Sequence, residues 1–215
     1  IEKFRANGCV KPVMGHNMSN VALGVLILWF GWFGFNPGST MSAGDGSAIA
    51  HVLIVTNIAA ITATLSATVT SWVLLKKPDL SMILNGCLAG LVAITAPCAF
   101  VKIGSAAVIG LIAGVIVVVS VLFFDRVRID DPVGALSVHL MNGVFGTLAL
   151  GLFYDDKVAS EVAGLATGLT RGAQFVQQLK GVLLVGGFTL IISAVIWMAL
   201  RAVVGIRVTR EEELG

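Results

Sequence analysis

Apolar residues along this chain gather in long blocks instead of alternating, and polar punctuation separates six such blocks. They run near Met18–Phe35, Ile49–Leu75, Met82–Ala96, Gly104–Phe124, Val133–Phe153 and Leu179–Val204. A hydrocarbon core needs about 20 mostly apolar residues per helix, and blocks of this kind, without a two-residue period, do not describe a transmembrane barrel. The pattern predicts an all-α integral membrane protein with six transmembrane helices. The third block is short, and Pro97 beside Cys98 and Ala99 predicts that it ends in a bent or irregular segment. Such a segment is tolerated at membrane depth where protein or a wet cavity satisfies the freed backbone groups. No stretch has the charged start, apolar centre and small-residue cleavage site of a signal peptide, and no linker-separated soluble domain is expected.

Composition supports the same solvent. Of 215 residues 57% are hydrophobic and 12% charged, and the mean hydropathy is +0.96; a soluble domain with so few charges could not cover its surface. Assigning loops to alternate sides puts Lys3, Arg5, Lys11, Lys76, Lys77, Arg126, Arg128, Arg201, Arg207 and Arg210 on one face, against Lys102, Lys157, Arg171 and Lys180 on the other. The richer side is expected to be cytoplasmic. The net charge of +2 gives no support for nucleic-acid binding.

The stretch Leu28–Ser39, LWFGWFGFNPGS, does not close a span in the usual way. A lipid-facing helix ends in an aromatic belt and a charged anchor, whereas here small residues interleave with Phe and Trp ahead of a proline and an isolated hydroxyl. It reads as a pore mouth. Cys9, Cys87 and Cys98 form no CxxC pair, so no metal site is expected. Asn17-Met18-Ser19 matches a glycosylation sequon but lies on the expected cytoplasmic side and is taken as chance. Gly34/Gly38, Gly86/Gly90, Gly110/Gly114 and Gly164/Gly168 are each spaced by four, the arrangement that lets membrane helices touch backbone to backbone.

One ionisable residue stands out within a span. A charge at mid-helix costs roughly 2.5–3.5 kcal/mol on insertion scales, so intramembrane titratable groups mark pathways. His139 follows Asp130-Asp131-Pro132, where Asp131 is placed to cap the helix and Pro132 to occupy its first turn. That puts His139 about two turns into the fifth span. A neutral imidazole there donates from one nitrogen and accepts at the other. The alternative is a histidine that bonds a neighbouring helix and serves only packing. His16 and His51 lie near span ends and read as interfacial; Trp29, Trp32 and Trp72 suit a belt, although Trp32 belongs to the mouth segment.

Several blocks together resemble the ammonium transporter (Amt/Mep/Rh) family, and in the family's order: Gly15-His16-Asn17, Gly31–Ser39 (GWFGFNPGS), Ala89–Ala99 (AGLVAITAPCA), Asp130-Asp131-Pro132 followed by Val138-His139, and Gly146–Phe153 (GTLALGLF). The tail Gly205–Leu214 is similar to the stretch after the family's last helix. The resemblance covers only the second half of a protomer. It implies helices six to eleven of an eleven-helix inverted-repeat transporter fold, with residues 1–215 a partial domain, a homotrimer in the cell membrane, and the N-terminal half of the protomer as a missing partner.

The function the resemblance implies is passage of ammonium or ammonia through a hydrophobic pore, with ammonium recruited and deprotonated at an outer vestibule. It assigns Ser39 and Trp32 to substrate binding, Phe35 to the pore gate and His139 to the pore lining, with no cofactor and no metal. It also implies a PII-type signal protein as a partner on the cytoplasmic face. Two positions depart from the family pattern. Leu140 follows the histidine where the family has glycine, and Gly134 replaces an acidic residue five positions before it. An ammonium sensor coupled to a cytoplasmic signalling domain, and a non-conducting structural partner, are the other classes on this scaffold. No nucleophile–base pair has useful spacing, so an enzyme is not expected.

Overall fold

The structure, a computed structural model, describes residues 15–206 and 208. Lys3, Arg5, Cys9, Lys11, Arg207 and Arg210, used in the readings above, lie outside the described residues. Among the described residues the chain forms α1 (Met18–Gly38), α2 (Gly46–Leu75), α3 (Leu80–Thr95), α4 (Ile103–Arg126), a π-helical turn (Ala135–Leu140) that runs into α5 (Met141–Phe153), the short α6 (Asp156–Ala163) and α7 (Arg171–Val203). Five segments are long and apolar enough to cross a membrane, counting the π turn with α5, and α3 is the shorter sixth at 16 residues. The protein is a multi-pass, all-helical membrane protein. Beyond α3 the chain turns tightly, with the Phe100 amide donating to the Pro97 carbonyl at 2.8 Å.

Two compact units divide the chain, Ile1–Gln178 and Leu179–Gly215. In the first, α2 lies at the centre with α3 and α4 packed on it, α1 on α2 and α3, and α5 on α3 and α4. The second holds most of α7, a helix of 33 residues and about 50 Å.

Small residues make the close approaches, because lipid offers no hydrophobic force to drive helices together. Ala59, Ala63 and Ala67 of α2 are fully buried. Gly86 and Gly90 of α3 and Gly110 and Gly114 of α4 meet this same strip of α2. The other two spaced pairs behave differently. Open space surrounds Gly34 and Gly38, while Gly164 and Gly168 sit at positive φ outside any helix, Gly164 closing the end of α6. A four-residue spacing fixes neither which way a helix face points nor that the segment is helical. Several hydroxyls of α2 bond within their own helix. Thr62, Thr64 and Thr68 each donate to the carbonyl four residues back, at 2.7–2.9 Å, a way of hiding a hydroxyl in an apolar setting.

One end of the first unit is tied across two loops. Lys102 Nζ lies 2.7 Å from Asp155 Oδ2, the Asp155 amide donates to the Phe100 carbonyl at 3.0 Å, and the rings of Phe100 and Tyr154 stack at 6.2 Å. The Lys102 ammonium, together with the Val158 N–H that Asp155 caps, holds the Asp155 carboxyl below the usual carboxylate range. The loop after α3 and the loop after α5 are thereby at the same end, as alternate crossings require. Asn17 is the N-cap of α1, accepting from the Asn20 amide at 2.9 Å, which accounts for this asparagine without glycosylation.

Candidate functional site

The pore-mouth segment remains helical to Gly38, with Pro37 inside the last turn and Ser39 as the C-cap. It is therefore the regular end of α1. Trp32 and Phe35, three residues apart, share one face and meet edge to face, with ring centroids 5.7 Å apart and an interplanar angle of 74°. Asn36, buried on another side, donates to Thr56 Oγ1 of α2 at 3.0 Å. Trp32 Nε1 donates to Thr95 Oγ1 of α3 at 3.0 Å, and the Thr95 hydroxyl in turn donates to the Leu91 carbonyl at 2.8 Å. These bonds set the roll of α1 about its axis. Trp29, expected in a belt, instead packs into the interface of α1, α2 and α3 around Val25, Ala60, Cys87 and Leu91.

At the end of α1 the Ser39 hydroxyl donates to the Phe35 carbonyl at 3.1 Å and is exposed. Its hydrogen is committed, so its remaining lone pairs present an acceptor to solvent.

The histidine reaches its place by a different local device. Gly134 adopts φ +75°, and helical conformation begins only at Ala135. Pro132 stays outside the helix, and His139 lies just over one turn in, within the π turn. The expected two α-helical turns from Pro132 are not formed, because the left-handed glycine interrupts the chain between proline and helix. Asp131 still serves as a cap, from further out. Its carboxylate accepts from the Leu136 amide at 3.0 Å, the Ser137 amide at 2.8 Å and the Ser137 hydroxyl at 2.7 Å. Burial pushes the Asp131 carboxyl up, but hydrogen bonds from Ser137, Leu136 and Ala135 outweigh it and hold the group below its ordinary range.

Trp32, Phe35 and His139 line one cavity of about 320 Å³, together with Thr95, Gly143 and Thr147. Ser39 does not line it; it stands one turn further along α1. Gly143 and Thr147 are one turn apart on α5 and share a face, and His139, from the π turn before them, lines the same cavity. Sequence reasoning missed Thr95 and Thr147 as site residues. For Thr147 the signal was available as the i+8 position from His139; for Thr95 nothing in the chain pointed to Trp32, 63 residues away. His51 is elsewhere, its Nε2 3.1 Å from the Val101 carbonyl, where it ties α2 to the loop before α4.

The cavity is mostly apolar. Indole and phenyl rings stand at one side, an imidazole at another, and the hydroxyls between them are largely engaged by the protein itself. Such a space admits a small neutral solute and offers few polar groups to hold a hydrated ion.

Residues 2–215 match the Ammonium Transporter Family. The chain is 39% identical to the ammonium transporter Amt2 of Archaeoglobus fulgidus over 216 residues, covering 99% of this chain and 46% of that protein. It is 40% identical to the ammonium transporter of Aquifex aeolicus over 200 residues, covering 93% and 46%. Among solved structures, a sensor Amt protein superposes with a TM-score of 0.90 at 35% identity, over 98% of this chain and 51% of the other. Candida albicans Mep2 superposes with a TM-score of 0.87 at 28% identity, over 95% and 46%. The chain spans about half the length of the curated relatives it matches.

Proposed function

The chain belongs to the ammonium transporter family, and from that premise we propose that it supplies one half of a pore through which ammonia crosses the cell membrane after ammonium is recruited and deprotonated at the outer mouth. The observation that carries this reading is the shared cavity of Trp32, Phe35 and His139. An aromatic face attracts a cation by about 0.5–2 kcal/mol. The Ser39 hydroxyl, its own hydrogen given to Phe35, is left as an acceptor for an ammonium N–H. Trp32 and Ser39 are the recruiting pair in this proposal, and Phe35 obstructs the way inward.

Past the rings, an ammonium ion without its water would meet a large desolvation penalty that neutral ammonia escapes. Proton loss to water at the mouth removes the penalty, and the neutral molecule passes His139, which offers a hydrogen bond without a charge. Potassium is refused because it has no proton to lose.

The chain pairs, in this proposal, with an N-terminal half that completes the cavity, and complete protomers form a homotrimer with a PII-type signal protein as a cytoplasmic partner. The sensor alternative shares the scaffold, since a sensor Amt protein superposes well; the named transporters among the relatives favour transport. The test is uptake of isotope-labelled ammonium by liposomes holding the complete protomer, in excess of uptake by empty liposomes. His139→Ala is expected to change both the uptake rate and the selectivity over potassium. Unchanged uptake and unchanged selectivity would remove the histidine from the pore.

A further inference from the structure

The π turn that carries His139 requires an explanation, because turns of this type are rare and, as single bulges in α-helices, cluster at functional sites. Its hydrogen bonds show how it is held. The Val138 and His139 amides both donate to the Gly134 carbonyl, at 2.8 and 3.3 Å. At the other end the Met141 amide donates to the carbonyls of Leu136 and Val138. In an α-helix that amide would take the Ser137 carbonyl. Here it passes Ser137 by.

A side chain from the following turn engages that carbonyl. Asn142 Nδ2 donates to the Ser137 carbonyl at 3.0 Å, and Asn142 is fully buried. An amide in an apolar interior costs free energy unless bonded, and the Asn142 Oδ1 has no partner among the described residues. A leucine of similar size would suit the packing better. The residue is therefore not explained by core filling. The chain places a buried donor where the widened turn leaves a carbonyl without its α-helical amide, two residues before His139.

The geometry assigns Asn142 as the positioning residue that holds the π turn and thereby sets the direction of His139 across the cavity. Asp131 grips the same turn from its N-terminal side through Ser137 and Leu136, so the segment is fixed at both ends. Relaxation to a regular α-helix would turn His139 relative to Gly143 and Thr147, the residues of α5 that line the cavity with it. Ser39 and Trp32 are on another helix and are untouched by the change.

This assignment rests on the proposed pore. It is tested on the complete protomer in liposomes, with maximal uptake rate of labelled ammonium, half-saturating ammonium concentration and selectivity over potassium all measured. Asn142→Leu keeps the branched outline with somewhat more bulk and removes the donor. Misplacing a reacting or binding group by about 1 Å costs up to about a hundredfold, and a rotated imidazole is expected to lower the maximal uptake rate about tenfold and to change the selectivity over potassium. Half-saturation, set at the mouth, is expected to stay within about twofold. Asn142→Gln keeps the amide one methylene further out and is expected to retain a larger share of the uptake rate.

A normal maximal rate per assembled molecule with unmoved selectivity in Asn142→Leu overturns the assignment. If Asn142→Leu fails to insert, Asn142→Ala, which removes the donor without adding bulk, decides on the same two readings. A wild-type protomer that takes up no more ammonium than empty liposomes refutes the pore itself, whereas a conducting wild type indifferent to Asn142 refutes only this inference.

Discussion

Gly90 offers the sharpest test of how the first unit is held. A methyl group built there would stand 2.6 Å from the Ala63 Cβ and 2.9 Å from the Ala59 carbonyl carbon. Carbon atoms rest at about 3.5–4.0 Å, so α2 and α3 must part by about 1 Å. Nothing flexible can yield, because the opposing atoms are backbone and a Cβ on a fully buried strip. Overpacking a core costs about 1–3 kcal/mol, and contact with backbone puts Gly90→Ala at the upper end. The better helix propensity of alanine offsets about 1 kcal/mol, leaving a net loss of about 2 kcal/mol. For a chain of this size that is a fall in melting temperature of about 4–8 °C. Gly104, in the first turn of α4 with nothing within 4 Å, is the control, and Gly104→Ala is expected to melt at or slightly above the wild-type temperature. Detergent-solubilised variants followed by thermal unfolding give the comparison. A Gly90→Ala protein as stable as wild type, or a Gly104→Ala protein that loses as much, refutes close backbone contact as the source of the stability.

Two further expectations concern the site. Ser39→Ala removes the acceptor at the mouth and is expected to raise half-saturating ammonium with little change at saturation; equal apparent affinity in the liposome assay removes Ser39 from recruitment. Asp131 has a folded pKa held below the ordinary range, so its stabilising contribution is complete above the unfolded value of about 3.9 and is lost as pH falls through the lower folded value. Asp131→Asn is therefore expected to melt below wild type at neutral pH, with the gap closing once the pH falls under about 4. A gap that stays constant across that range refutes the carboxylate's role in holding the π turn.

The residues of the site were legible to different degrees. His139 was recognisable because a titratable group in an apolar span is costly, Trp32 because it belongs to the aromatic mouth segment, and Phe35 through the family resemblance. Thr95 was not, since its significance is a hydrogen bond to Trp32 across 63 residues of chain. The glycine pairs show the same limit. All four have one spacing, but only Gly86/Gly90 and Gly110/Gly114 face the alanine strip of α2.

The chain alone determined that this is a bundle of membrane helices, because burial of backbone in lipid leaves few other solutions for long apolar blocks. Its local chemistry also marks where three helices start, since Asp45, Asp79 and Asp155 cap α2, α3 and α6 through their own side chains. The tertiary structure decided what those signals left open: that Gly134 breaks the run from Asp131, that the next turn widens, and that Asn142 bonds the Ser137 carbonyl. The physical reason is that periodicity records only which residues prefer an apolar setting. The roll of each helix, and the local departure from α geometry that aims His139, follow from hydrogen bonds and backbone contacts between and across turns that no one-dimensional pattern encodes.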